Sequence, residues 1–470
     1  MKYVSTRGGI EPLGFQDAVM MGLADDGGLI VPQDIPDLTD RLADWADLDY
    51  PELAFEVIRM FATDIPGDDL SDLIDRSYVG TFDSDPEVSP ISSVGDMFVM
   101  ELWHGPTMSF KDVALQLLGN LFEYILARRA GKLNILAATS GDTGSAAICG
   151  VRGRKGIHIF VMHPAGRVSP IQERQMTSVL DDNVHNIAID GSFDDCQRIM
   201  KTLACDLEFK QACRLGAVNS VNWARVLAQM VYYFHGAFAL RRLTGADKIR
   251  VCVPTGNFGN ILAGWYAMQM GAPISQLVLA TNENDILARF FNSGVYSLGD
   301  VHQTLAPAMD IQVASNFERY LYHKVAGDPG RLRSLMEQFA QTGSLEIECE
   351  LPGTVDSSIE AGAANTDDIL AAIRRCYESC DYLIDPHTAC GYSAVGALVP
   401  VSAGGADASE PTLCIATAHP AKFPQAIEQA TGRDLARHPA IDALADLPTR
   451  CEAIGNDARA VGDFIIRTIS

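Results

Sequence analysis

The segment His104-Gly-Pro-Thr-Met-Ser-Phe-Lys-Asp112 sets one lysine, Lys111, between an aromatic residue and an acid, at the head of a long apolar-periodic stretch. Two glycine-rich turns come later, Thr139-Ser-Gly-Asp-Thr-Gly144 and Pro254-Thr-Gly-Asn-Phe-Gly-Asn260, each after a short apolar run. A lysine at a helix start is, taken alone, an ordinary solvated side chain. A lysine joined by two anion-binding turns on strand ends points to a phosphate-bearing aldehyde held as a Schiff base. Pyridoxal 5′-phosphate is the cofactor of that description.

The pattern around these motifs supports the same architecture. Val113, Leu117, Leu118, Leu121, Ile125 and Leu126 recur at helical spacing. Strands are expected at 133–138, 157–162 and 186–189, with helices at 144–151 and 170–180, the latter carrying proline in its first turn. A long helix at 223–242 precedes a strand at 249–253, a helix from Phe258 and a strand at 277–281. This alternation predicts an α/β fold of mostly parallel sheets flanked by helices. Residues 1–85 read instead as short helices broken by clusters such as Asp25-Asp-Gly-Gly28 and Pro66-Gly-Asp-Asp69. Between 295 and 365 helices at 301–309 and 317–326 and a strand pair within 345–355 are expected. A helix at 367–379 and a strand at 412–416 follow, with a surface loop expected at the Gly/Ala/Ser-rich run 401–408.

Bulk composition bounds the function without naming it. At 470 residues and 47% hydrophobic content the chain can bury a large core in two or three domains. A formal charge of −24 argues against nucleic acid or an anionic membrane surface as a main partner. Residues 1–100 hold 21 acidic and 5 basic side chains, a net of −16, which leaves the remainder free to bind anions. Eleven cysteines form no Cys-x-x-Cys pair and no zinc-like cluster, so free thiols in a reducing compartment and no metal are expected. The N-terminus has no apolar signal core, and no run approaches the roughly 20 apolar residues that cross a bilayer. A cytoplasmic location is the expectation.

Each motif has a bland reading beside the chemical one. Gly256, Asn257, Phe258, Gly259 and Asn260 sit between a strand and a helix, where backbone N–H groups and the helix dipole converge on an anion; alone, the turn is simply tight. Thr139, Ser140 and Thr143 offer hydroxyls and amides to a substrate carboxylate, while Asp142 serves equally as a helix cap or a cofactor contact. Asn219-Ser-Val-Asn-Trp-Ala-Arg225 combines Ser220, Asn222 and Arg225, whose planar fork suits a phosphate; a capping network with a surface salt bridge explains the spacing as well. Arg167 and Lys422 are lesser candidates for a substrate anion. Thr417 ends a strand where its hydroxyl could face a pyridine nitrogen. His104, His387 and His419 read as structural histidines.

Together these segments resemble the threonine synthases of the bacterial and fungal branch, fold type II pyridoxal-phosphate enzymes related to the tryptophan synthase β chain. The resemblance begins at Tyr3-Val-Ser-Thr-Arg-Gly8 and Gly22-Leu-Ala-Asp-Asp-Gly-Gly-Leu29 and runs through the lysine and glycine motifs. It continues in Ala280-Thr-Asn-Glu-Asn-Asp285, Asp385-Pro-His-Thr388 and Ala416-Thr-Ala-His-Pro-Ala-Lys-Phe423. It implies that Lys111 is the Schiff-base lysine and Cα proton shuttle, that residues 256–260 hold the cofactor phosphate, and that Thr417 partners the pyridine nitrogen. It further implies conversion of O-phospho-L-homoserine and water to L-threonine and phosphate, by γ-elimination and then β-addition of water. Asp142 stands where many fold type II enzymes have asparagine, as is common in this branch. The expected domains are an N-terminal one at 1–90, a catalytic α/β region at 91–430 with a mobile subdomain at about 110–240, and a C-terminal segment at 431–470 packed on it. The chain is expected to be a monomer or homodimer. A serine/threonine dehydratase-like lyase and a non-catalytic pyridoxal-phosphate-binding paralogue are the alternatives.

Overall fold

Short apolar runs bounded by Gly, Pro or polar turns become the strands of two main sheets, beside two small two-stranded ones. The computed structural model describes residues 1–82, 87–139, 141–216, 219–398 and 410–469. Its larger sheet has six strands in the order Ile359–Ala363, Ile274–Thr281, Ile249–Pro254, Thr412–Ala416, Met97–Glu101 and Ile91–Val94. All neighbours are parallel except the hairpin joining the last two, which turns at Gly95 with φ 60°. The smaller sheet is wholly parallel, in the order Glu452–Ile454, Val184–Ile189, Ile157–Pro164, Leu133–Ala138 and Leu215–Gly216. The inner strands of both are almost continuously apolar because helices cover both faces.

Strand order brings the sequence motifs together. Ile249–Pro254, Thr412–Ala416 and Met97–Glu101 are adjacent and parallel, so the chain leaves all three at one edge of the sheet. The segments that follow them are residues 256–260, Thr417 and the stretch leading to Lys111. Ligands of open parallel sheets sit at this carboxyl edge.

Two long helices, Lys111–Arg129 and Trp223–Thr244, are buried around most of their circumference. The first touches the helix Asp142–Val151 backbone to backbone. A Cβ on Gly119 would lie 1.9 Å from the Gly150 carbonyl oxygen, and one on Gly150 would lie 2.4 Å from that of Leu115. Only glycine admits this approach. Lys111 and Asp142 are the first residues of these two helices.

The N-terminal helices join the same core. Leu53, Val57, Leu70, Leu73 and Ile74 cluster with Leu117 and Val231, and Trp45 meets Phe234 edge-on at 6.0 Å. Asp49 and Glu52 form a capping box that starts the helix Tyr50–Arg59. At the other end of the chain, Glu452–Ile454 adds an edge strand to the smaller sheet. The helix Ala458–Ile469 packs Val461 and Ile465 near Ile199 and Leu203 of the helix Phe193–Cys205.

The region 295–365 departs from its expected reading. In place of a helix at 301–309 there is a loop ending in the single turn Pro307–Met309. Side chains satisfy the backbone there: Asp310 accepts from Thr304 N at 2.9 Å, and Asn284 from His302 N at 2.9 Å, so no helix is required. Ser344–Glu346 pairs with Val295–Ser297, while within 345–355 only a bridge joins Leu351 and Thr354. The run 401–408 lies outside the described residues. Among those described, no helix is long and apolar enough to cross a membrane, and no His/Cys/Asp/Glu group could hold a metal ion.

Candidate active site

Lys111 opens its helix with a side chain only 11% exposed, and its Nζ lies 3.6 Å from Asp142 Oδ2. Burial lowers the pKa of its ammonium; Asp142 opposes that effect, and the charges of Lys422 and Arg225 reinforce it. A lysine so placed is more readily neutral, as imine formation and proton abstraction both require.

Asp142 follows Gly141, whose φ of 150° lets the loop turn sharply into the helix. Its Oδ1 accepts from Lys422 Nζ at 2.6 Å and from Gln172 Nε2 at 2.7 Å. Burial works to raise its pKa, but Lys422, Lys111 and the hydrogen bond from Gln172 outweigh that and hold the carboxyl well below the usual range. Thr139 Oγ1 accepts from Gly141 N at 3.0 Å and Gly144 N at 2.9 Å, so its hydroxyl shapes the loop from within. Thr143 is half-buried in the first turn; Ser140 lies outside the described residues.

The turn 256–260 leads from the strand Ile249–Pro254 into the helix Gly259–Gln269. Phe258 adopts the left-handed conformation, φ 63°, and no side chain caps the helix Gly259–Gln269 that it introduces. A phenylalanine there is strained. Its ring is held by Phe291, stacked at 6.0 Å, and by Phe317 and Tyr320. Asn257 O accepts from Asn316 N, and Asn257 Oδ1 from Ser315 Oγ, both at 3.1 Å. Asn260 Oδ1 accepts from Tyr232 at 2.6 Å and Tyr233 at 2.8 Å, while its buried Nδ2 has no partner among the described residues.

Thr417 is buried at the end of the neighbouring strand, where its carbonyl accepts from Phe110 N at 2.9 Å. This bond and the bridge between Ser109 and Ala418 tie the lysine segment to that strand. From the other candidate segment, Ser220 Oγ meets Ser315 Oγ at 2.6 Å. Asn222 caps the helix Trp223–Thr244 by accepting from Ala224 N at 3.0 Å, and donates to Val19 O at 2.9 Å. Arg225 is buried, and its Nε and Nη1 have no hydrogen-bond partner among the described residues. Burial pushes its pKa down to about 10. Instead of the surface salt bridge that spacing allowed, the structure buries the guanidinium and pairs it with no acid among the described residues.

Other residues fall where the sequence did not weight them. Lys422 is fully buried and bonds Asp142, whereas Arg167 is exposed. Gln172, Ser315 and Asn316 bond Asp142 and Asn257 from distant segments, and nothing local in the sequence marks them. His104 pairs with Glu101 at 2.9 Å, His387 with Asp385 at 2.8 Å, and His419 caps a turn through Ala421 N at 3.1 Å.

An uncapped helix start, a buried unpartnered guanidinium and a lysine of lowered pKa suit a phosphate-bearing aldehyde and a second anion. Fold and site together define a fold type II pyridoxal-phosphate enzyme. Family models described as "Threonine synthase N terminus", "Pyridoxal-phosphate dependent enzyme" and "Threonine synthase, C-terminal" match residues 2–78, 86–351 and 388–465. The chain belongs to the threonine synthase family, pyridoxal-phosphate-dependent lyases. Threonine synthase of Pseudomonas aeruginosa is 44% identical over 99% of this chain and 98% of its own. That of Schizosaccharomyces pombe is 44% identical over 92% and 89%. The crystal structure of pyridoxal-phosphate-bound threonine synthase from Brucella melitensis superposes with a TM-score of 0.92 at 42% identity, covering 100% of this chain and 99% of its own. The yeast threonine synthase structure gives 0.93 at 39%, covering 100% and 98%.

Proposed function

We infer that this chain converts O-phospho-L-homoserine and water to L-threonine and inorganic phosphate, the last step of threonine biosynthesis. The observation that carries this reading is that the segments bearing Lys111, Thr417 and the uncapped turn at 256–260 leave one edge of the large sheet from adjacent parallel strands, with Arg225 close enough to act on the charge of Lys111. Pyridoxal phosphate, when bound, supplies the electron sink that makes protons on substrate carbons removable.

The chain's own residues divide the remaining work. Gly256, Asn257, Phe258, Gly259 and Asn260 would hold the cofactor phosphate through backbone amides, and Thr417 would offer its hydroxyl to the ring nitrogen. Lys111 moves the proton at the substrate Cα, helped by surroundings that favour its neutral amine. The loop of Thr139, Ser140, Asp142 and Thr143 receives the substrate carboxylate. Lys422 takes up the charge of Asp142, which would otherwise repel it. Ser220, Asn222 and Arg225 receive the substrate phosphate, and the guanidinium neutralises charge as that group leaves. The domains are 1–90, 91–430 and 431–470, with residues 110–240 closing over the substrate to exclude water. The protein acts in the cytoplasm as a monomer or homodimer, and its acidity keeps nucleic acid from being a partner.

Turnover in ¹⁸O-labelled water tests the reaction. Carbon–oxygen cleavage followed by addition of water places the label in the β-hydroxyl of threonine and none in the phosphate. Label in phosphate, with homoserine as the product, would replace the lyase reading with a phosphatase.

A further inference from the structure

Asp142 is shared unequally between two lysines. Its Oδ1 lies 2.6 Å from Lys422 Nζ, and its Oδ2 lies 3.6 Å from Lys111 Nζ. Lys422 Nζ also donates to Thr107 O at 2.9 Å, and Gln172 Nε2 reaches the same carboxylate oxygen at 2.7 Å. These groups come from different parts of the chain. Lys422 belongs to the turn after the large-sheet strand Thr412–Ala416, Asp142 to the loop after the small-sheet strand Leu133–Ala138, and Thr107 to the segment leading to Lys111. Lys422 therefore binds both sheets and the reactive segment through one buried ammonium.

We propose that Lys422 is a positioning residue that claims the Asp142 carboxylate and thereby keeps Lys111 out of a closed ion pair. The proposal rests on the reading of Lys111 as the reactive lysine. A carboxylate this deeply buried needs a cation. Without Lys422 the nearest one among the described residues is Lys111, whose Nζ is 3.6 Å from Oδ2. The largest charge effects on Lys111 come from Asp142, Lys422 and Arg225, and Lys422 also acts on the neighbouring buried Asp112. Removing Lys422 takes away one of two repelling cations and releases the attracting carboxylate, so both effects hold the proton on Lys111. Removing Asp142 as well restores the balance, and removing Asp142 alone leaves only repulsion.

The test is competitive acetylation of the full-length chain across a pH range. The Lys111 peptide is quantified by mass, so that reactivity reads the neutral amine directly. It is run without added cofactor and repeated as the pH dependence of imine absorbance on adding pyridoxal phosphate. Lys422→Met is expected to shift the Lys111 midpoint alkaline by about one pH unit, a roughly tenfold loss of neutral amine at a fixed lower pH. Lys422→Met/Asp142→Asn returns it near wild type, and Asp142→Asn shifts it acid. An unchanged midpoint in a folded Lys422→Met, or no return in the double variant, would overturn the proposal. If Lys422→Met does not fold, Asp142→Asn decides alone: an acid shift supports the proposal and no shift overturns it. Borohydride trapping of the cofactor on a lysine other than 111 would instead overturn the assignment of Lys111, and the acetylation midpoints would stand apart from it.

Discussion

Lys111 and Asp142 face each other at 3.6 Å although they belong to segments following different sheets, and each is the first residue of its helix. The two helices meet through Gly119 and Gly150 without intervening side chains. The spacing of Lys111 and Asp142 thus depends on two glycines further along the same two helices.

Gly119→Ala tests that dependence. Its Cβ would sit 1.9 Å from a backbone oxygen, which no side-chain rotation relieves, so the helices must separate. The expected cost is about 1–3 kcal/mol of stability, with turnover reduced at least tenfold at temperatures where the variant remains folded. Denaturant midpoints and kcat measured together check this. An unchanged kcat would disconnect helix packing from the active pair.

Arg225 is expected to trade stability for function. It is buried with Nε and Nη1 unpartnered, and such a charge costs folding energy unless a ligand pairs with it. In Arg225→Met the cofactor-free chain should be as stable as wild type or more so, while kcat/KM for the phosphorylated substrate falls by about a hundredfold or more. Added inorganic phosphate should raise the wild-type Tm more than the variant's. A fall of several degrees in the variant's Tm, with kcat/KM preserved, would make the arginine a scaffold residue.

Much of this arrangement was legible in the chain. Strands 133–138 and 412–416 were readable to the residue because apolar runs end abruptly at turn formers. The lysine motif and both glycine turns fell at the strand ends where their spacing put them. What remained hidden depended on tertiary contact. Nothing local says that Arg225 is left unpartnered, that Lys422 reaches Asp142, or that Asn316 props the turn at Asn257. The loop near 301–309 misled because Asp310 and Asn284 satisfy backbone groups that a helix would otherwise satisfy itself. Ile359–Ala363 was obscured because its short Gly/Ala-rich run acquires strand character only against Ile274–Thr281.

Asp112 gives the chain a specific pH signature. Burial raises its carboxyl pKa to about 6, despite hydrogen bonds from Thr107 N at 2.8 Å and Thr107 Oγ1 at 2.7 Å. In the unfolded chain the group ionises near pH 4. Between those values the folded state holds the extra proton, so this group's contribution to stability falls as pH rises from about 4 to 6 and stays lost above. The difference is on the order of 2–3 kcal/mol. Asp112→Asn should therefore gain on wild type by that amount between pH 4 and 7, whatever constant offset the lost hydrogen bond adds. Urea unfolding at each pH reads the difference, and parallel curves would place the Asp112 proton elsewhere.

The most direct measurement is phosphate release from O-phospho-L-homoserine with threonine detected alongside, for wild type and Lys111→Ala. Equal amounts of phosphate and threonine from wild type, with neither from a folded Lys111→Ala, is the expected result. Phosphate without threonine from wild type, or undiminished threonine from the variant, would contradict it.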